Sequence, residues 1–196
     1  MTDREILLVP LVLASASPRR REILEKLGFS CEVRPANIDE MAIRDKDAGL
    51  QTVRIANEKA RVAAVAGSLT VAADTIVVVD GDVLEKPRDK ADAIAMLSRL
   101  SGRDHLVHTA VSLVFPRGET AHVLETTRVF FNDLAADLIE AYADTPSPYD
   151  KAGGYGVQDA FGMQNIRRIE GCYFNVMGFP ASRFMQLLRE NQKSLR

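Results

Sequence analysis

Apolar and polar positions along the chain change period in blocks, so that strand-like runs and helical stripes follow one another for most of its length. Residues 11–13 predict a short buried strand. Pro18 then stands at the first position of a helix whose apolar stripe is Ile23, Leu24 and Leu27, with Gly28 at its end. Residues 30–35 predict a second strand, residues 38–47 a charged loop holding Asp39 and Glu40, and the alanine-rich residues 50–66 a helix. Residues 69–79 and 83–85 predict a hairpin, because Asp80-Gly81 supplies the positive φ angles of a two-residue loop. Asp89 caps a helix that Ser101-Gly102 ends, with Ala93, Ile94, Met96 and Leu97 facing inward. Two long strands, residues 105–115 and 121–131, are joined by Arg117-Gly118. A helix over 134–142, a glycine-rich loop over 153–162, a hairpin of 164–169 with 173–176, and a helix over 181–190 complete the pattern. With no internal repeat or low-complexity linker, the alternation predicts one mixed α/β (α+β) domain over residues 1–196, residues 1–10 being an N-terminal extension.

Charged residues at two places in the chain depart from this ordinary pattern. Arg19, Arg20 and Arg21 occupy the first turn of a helix, where the backbone dipole favours acids by a few tenths to about 1 kcal/mol each. Either they form a solvated basic turn capped by Ser17, or an anion, phosphate above all, sits among them with Ser15 and Ser17. Asp74 interrupts a run apolar on both faces, the mark of a central strand. A carboxylate there must be paired, hydrogen-bonded or metal-bound; it is a general base or metal ligand, or else an acid bonded to backbone amides.

Three further positions carry chemistry. Lys59 has Ile55, Ala56, Val62 and Ala63 as its helical neighbours, so no acid on its own helix neutralises it. It either snorkels along apolar surface or contacts phosphate. Arg54 and Glu58 can pair on the outer face of the same helix. The Val79–Asp82 register of the hairpin, counted back, sets Lys86 opposite Thr75 and beside Asp74. Gln158 follows the loop Asp150-Lys-Ala-Gly-Gly-Tyr-Gly-Val, and its amide can accept from a ring N–H while donating to the adjacent carbonyl, as the imide edge of uracil or thymine requires. His105, His108 and His122 lack metal-ligand spacing and read as structural.

Composition narrows the partners. A formal net charge of −2 with 27% charged residues argues against a general nucleic-acid binder, so any basic site is local. Cys31 and Cys172 form no C-x-x-C motif, which argues against a disulfide framework or zinc site and fits a reducing cytoplasm. The apolar run before residue 14 contains Asp3, Glu5 and Pro10 and is too short for a membrane anchor or export signal.

Taken together, Ser15-Ala-Ser-Pro-Arg-Arg20, Glu40, Glu58-Lys-Ala60, Ala73-Asp-Thr75, Glu85-Lys-Pro87, Leu97-Ser-Arg-Leu-Ser-Gly102 and Asp150 to Gln158 closely resemble the Maf family of nucleoside triphosphate pyrophosphatases, over nearly the whole chain. The resemblance implies an inosine-triphosphatase-like fold, a long curved mixed sheet flanked by helices with a cleft between two lobes, commonly as a homodimer. It also implies a nucleotide substrate cleaved to monophosphate and pyrophosphate with Mg²⁺ or Mn²⁺. On this resemblance Ser15, Arg20, Lys59 and Lys86 hold the triphosphate, Asp74 orients or deprotonates water, and Glu40, with Asp74, binds the metal. Arg19, Thr75 and Gln158 match the dTTP/UTP type, whereas an aromatic residue, Gln and Glu mark the 7-methyl-GTP type. Asp159-Ala-Phe161 departs from the small or glycine-rich segment of the family. Beside these enzymes stands a reading from another class, a non-catalytic nucleotide-binding regulator of septum formation.

Overall fold

The computed structural model describes residue 6 and residues 9–195, so residues 1–5, 7 and 8 of the expected extension lie outside the described residues. The long apolar run becomes β3 (Leu69–Val79), buried at nearly every position, as expected for a strand covered on both faces. β1 (Leu11–Leu13) pairs parallel with β3 through Leu11↔Leu69 and Leu13↔Val71, and parallel with β2 (Cys31–Val33) on its other edge. β4 (Asp82–Leu84), β5 (Asp104–Val114), β6 (Thr120–Phe131) and β7 (Ile166–Glu170) complete a seven-stranded mixed sheet of order β2-β1-β3-β5-β6-β7, with β4 paired to β3. The helices are α1 (Pro18–Lys26), α2 (Ala48–Val62), α3 (Lys90–Leu100), α4 (Ala136–Ala143), α5 (Ala160–Asn165), α6 (Tyr173–Val176) and α7 (Ala181–Glu190). This is the mixed α/β architecture that the periodicity predicts. No helix among the described residues is long and apolar enough to cross a membrane.

Contacts divide the chain into two compact units, residues 1–74, 109–125 and 178–196 in the first and 75–108 and 126–177 in the second. In the first, Ala60 of α2 and Ala63 just past its end pack with Ala14 and Ala72, a cluster of small side chains. Asp47 caps this helix by accepting from the Leu50 N–H at 2.9 Å, so it begins earlier than the alanine-rich run suggests. In the second, Val77, Val79 and Leu84 join Leu97, Leu100, Val107, Phe131 and Phe161 in an apolar core.

Three local expectations give way. Residues 164–169 and 173–176 do not form a hairpin: β7 pairs with β6 through Val129↔Ile169, residues 160–165 are helical, and Tyr173–Val176 is the helical turn α6. The turn is pinned from outside its own sequence. Asn175 is fully buried, and its Nδ2 donates to Val107 O and Thr127 Oγ1, both at 2.9 Å. Arg54 does not pair with Glu58 but with Asp45 at 3.1 Å, while Glu58 takes Arg61 at 2.7 Å. The hairpin register Val79↔Asp82 is as predicted, yet pairing stops at Val77↔Leu84, so Lys86 lies beyond the ladder and is not paired with Thr75.

Candidate active site

Successive strand side chains point to opposite faces, so Asp74 emerges on the face of β3 that carries Ala72. The helix α2 covers that face. Because Ala60, Ala63 and Ala72 are small, the helix lies close enough for Lys59 to reach the strand: its Nζ stands 2.8 Å from Asp74 Oδ1. Glu40 approaches the same ammonium from another element, with Oε1 at 3.0 Å. It sits in a single 3₁₀ turn, Glu40–Ala42, which Asp39 caps by accepting from the Met41 and Ala42 N–H groups.

Lys59 therefore does not snorkel. It is 8% exposed and Asp74 6%, so both charges have lost most of their water and depend on each other. Such a pair is weak evidence for stability, since two well-packed apolar residues would serve as well.

The arginine-rich helix start resolves into divergent roles. Arg21 turns outward to Glu25 at 2.7 Å. Arg20 turns inward and is half-buried; its Nε donates to Gly178 O and its Nη1 to Ser15 Oγ, each at 3.0 Å. Ser15 Oγ also accepts from the Ser17 N–H at 3.2 Å. Burial pushes the Arg20 guanidinium below its ordinary range; the Asp74 and Glu40 carboxylates counter this, and Arg19, half-buried on the same turn, adds to it. Ser17 makes no side-chain cap and the first turn contains no acid, so the helix start lacks the usual negative partner. Ser15, Arg20, Glu40, Lys59 and Asp74 are thus one charged neighbourhood within the first unit.

Thr75, Lys86 and Gln158 belong to the second unit. Thr75 follows Asp74 along β3, on the other face and partly exposed; Lys86 is exposed beyond the end of β4. Gln158 is half-buried, and its Nε2 donates to Asp159 Oδ1 at 3.0 Å. Asp159 Oδ2 accepts from Ser147 Oγ at 2.8 Å and faces Lys151 Nζ at 3.3 Å. Sequence reasoning assigned Lys151 and Asp159 no part in this network. The one signal was that Asp159 departs from the family pattern, and a lysine among glycines reads as a surface residue although Lys151 is only 9% exposed. Phe161 stacks on Tyr142, with ring centroids 4.1 Å apart. His105 is buried, its Nε2 2.6 Å from the Tyr155 hydroxyl, and burial lowers its pKa to about 4. No group of three or more His, Cys, Asp or Glu side chains among the described residues is arranged to hold a metal by itself.

A mixed sheet that sets a buried lysine–aspartate pair, with a half-exposed glutamate on the same ammonium, beside an inward-turned arginine defines a class: mixed α/β proteins with a charged polar site. The family model described as Maf-like protein matches residues 10–191, and the chain belongs to that family. It is 45% identical over 181 residues to the dTTP/UTP pyrophosphatase of Moorella thermoacetica, covering 91% of this chain and 93% of that one. Identity to the dTTP/UTP pyrophosphatase of Vibrio cholerae is 44% over 183 residues, covering 92% and 97%. Among solved structures, a nucleoside-triphosphatase / dITP/XTP pyrophosphatase from Mycobacterium abscessus is similar over 94% of this chain and 96% of that one, at a TM-score of 0.43 and 18% identity.

Proposed function

We propose that this chain is a nucleoside triphosphate pyrophosphatase that hydrolyses dTTP and UTP to the monophosphate and pyrophosphate. The observation that carries the reading is Lys59 held between Asp74 and Glu40, with the Arg20 guanidinium favoured by the charge of the same two acids. A buried acid kept beside a lysine and an arginine suits a reaction in which negative charge must be positioned and shielded while water attacks. The relatives named dTTP/UTP pyrophosphatase support the same conclusion.

In this reading the water oxygen bonds to the α-phosphorus, the bond from that phosphorus to the α–β bridging oxygen breaks, and pyrophosphate departs. Asp74 accepts the proton of the attacking water. Ser15, Arg20 and Lys59 hold the triphosphate oxygens, and Lys59 also keeps the Asp74 carboxylate oriented. Lys86 is assigned to the phosphates, and Arg19, Thr75 and Gln158 to the choice of base, on the family resemblance.

Glu40 and Asp74, carboxylates from two elements that both meet the Lys59 ammonium, are hard oxygen donors of the type Mg²⁺ or Mn²⁺ takes, and would hold such an ion together with phosphate oxygens and water. Such an ion, when bound, would neutralise phosphate charge. The decisive experiment measures pyrophosphate release from a panel of nucleoside triphosphates, 7-methyl-GTP included, with each metal. Release confined to dTTP and UTP supports the reading; tight nucleotide binding with no release replaces it by the regulator.

A further inference from the structure

We propose that Asp159 is a positioning residue for base selection: it fixes the amide orientation of Gln158, so that the base is read through a carbonyl acceptor. The inference rests on the pyrimidine triphosphate reading above and goes beyond it by naming what sets the polarity of recognition.

The two ends of a glutamine amide differ only in hydrogen-bonding sense, so the partner decides which end points where. A carboxylate only accepts. Asp159 Oδ1, 3.0 Å away, therefore claims the NH₂ end of Gln158. Asp159 is itself tied down: Oδ2 takes the Ser147 hydroxyl at 2.8 Å and faces Lys151 Nζ at 3.3 Å, with the Tyr142 hydroxyl at 3.5 Å. Lys151 is anchored in turn by Asp150 at 2.7 Å and by the Ser147 carbonyl.

Backbone geometry reinforces the arrangement. A Cβ at Gly156 would stand 2.7 Å from Asp159 Oδ2 and 2.8 Å from Gln158 Nε2, so the paired side chains rest on bare main chain. Rotating the amide by half a turn would set Gln158 Oε1 against the carboxylate, oxygen facing oxygen. The orientation is locked.

What remains is an acceptor. Gln158 Oε1 is buried and receives no hydrogen bond within the chain, a condition that is unfavourable until a donor arrives. The N3–H of uracil or thymine is such a donor, and the second amide hydrogen of Gln158 can reach a neighbouring ring carbonyl. Cytosine presents a lone pair at N3, which would meet the lone pairs of Oε1. Asp159 thereby converts a two-way amide into a one-way reader.

The test compares kcat/KM for UTP, dTTP and CTP, read as pyrophosphate release, in the wild type, Asp159→Asn and Asp159→Ala, with thermal melts to confirm folding. The asparagine side chain can accept from or donate to the Gln158 amide, and the alanine side chain does neither, so both variants allow the flipped state. The expected result is a UTP-over-CTP preference reduced about tenfold or more in each variant. Equal losses on all three substrates, with the ratio unchanged, would mean a merely structural role and overturn the proposal. If the wild type cleaves none of the three, the pyrimidine reading itself fails. Calorimetric binding of UMP against CMP then decides the proposal: a preference for UMP that Asp159→Asn erases supports it, and no change in preference overturns it.

Discussion

Lys59 Nζ lies 2.8 Å from Asp74 Oδ1, and the two side chains are 10% and 8% exposed, so a helix and a central strand share one buried ion pair. Neither charge has an opposite charge beside it on the same face of its own element. Glu40 adds a second acid at 3.0 Å, itself about half exposed, so the ammonium is over-supplied with negative charge while Asp74 stays close to Arg20.

Replacing Asp74 by Asn keeps the shape and removes the proton acceptor. Turnover with dTTP or UTP should fall by at least about a hundredfold, the usual scale for losing a general base. Glu40 continues to neutralise Lys59, so the melting temperature should change little. Wild-type turnover in a folded Asp74→Asn protein would remove the acid from the mechanism.

Truncating Lys59 has the opposite signature. Lys59→Met strands the buried Asp74 charge and should destabilise the fold by about 3–5 kcal/mol, the cost of breaking a buried pair from one side. Adding Asp74→Leu should recover much of that loss without restoring activity. Chemical denaturation of the two variants makes the comparison, and a double variant no more stable than the single one would contradict it.

Gln158→Glu would set a second carboxylate about 3 Å from Asp159, where the amide now donates. The new acid cannot donate to a pyrimidine carbonyl, and Asp159 repels it. Use of dTTP and UTP should weaken about a hundredfold, mostly through KM, since the reacting phosphates are untouched. Steady-state kinetics check this, and an unchanged substrate preference would take Gln158 out of base recognition.

His105 makes stability depend on pH. Its pKa in the folded chain is about 4, lowered by burial and partly restored by Asp104, against about 6.5 in an unfolded chain. The unfolded chain therefore binds a proton that the folded chain refuses. The contribution is fully present above about pH 6.5 and is lost as pH falls toward 4, amounting to about 3 kcal/mol at most. Denaturant melts across that window should show the slope, and His105→Phe should flatten it even though the Tyr155 hydroxyl loses its partner.

How much of this was legible beforehand depended on the range of the interaction involved. Pro18 at a helix start, Asp89 as a cap and Asp80-Gly81 as a hairpin turn are local matters, and all three stand as the residues themselves imply. The burial of β3 was equally plain from its unbroken apolar run. Residues 173–176 form a helical turn where their local pattern predicts a strand, because the turn is held by Asn175 reaching Val107 and Thr127, partners 68 and 48 positions away. The Arg54–Glu58 spacing permitted a pair, but Asp45 and Arg61 offered competing partners.

The candidate site divides along the same line. Residue type and neighbourhood in the chain were enough to single out Asp74, Lys59 and Arg20, because an acid in an apolar strand, a lysine on an apolar stripe and cations at a helix start are anomalies wherever they occur, whereas Glu40, and Gln158 as a base reader, took their weight from the family resemblance. Only tertiary packing decided that Lys59 meets both acids, that Arg20 turns in while Arg21 turns out, and that Asp159 holds the Gln158 amide. Periodicity is a property of bonded neighbours and can be read along one dimension. Which charges face each other is set by how closely alanine surfaces let a helix approach a sheet, and by where loops from distant parts of the chain come to rest.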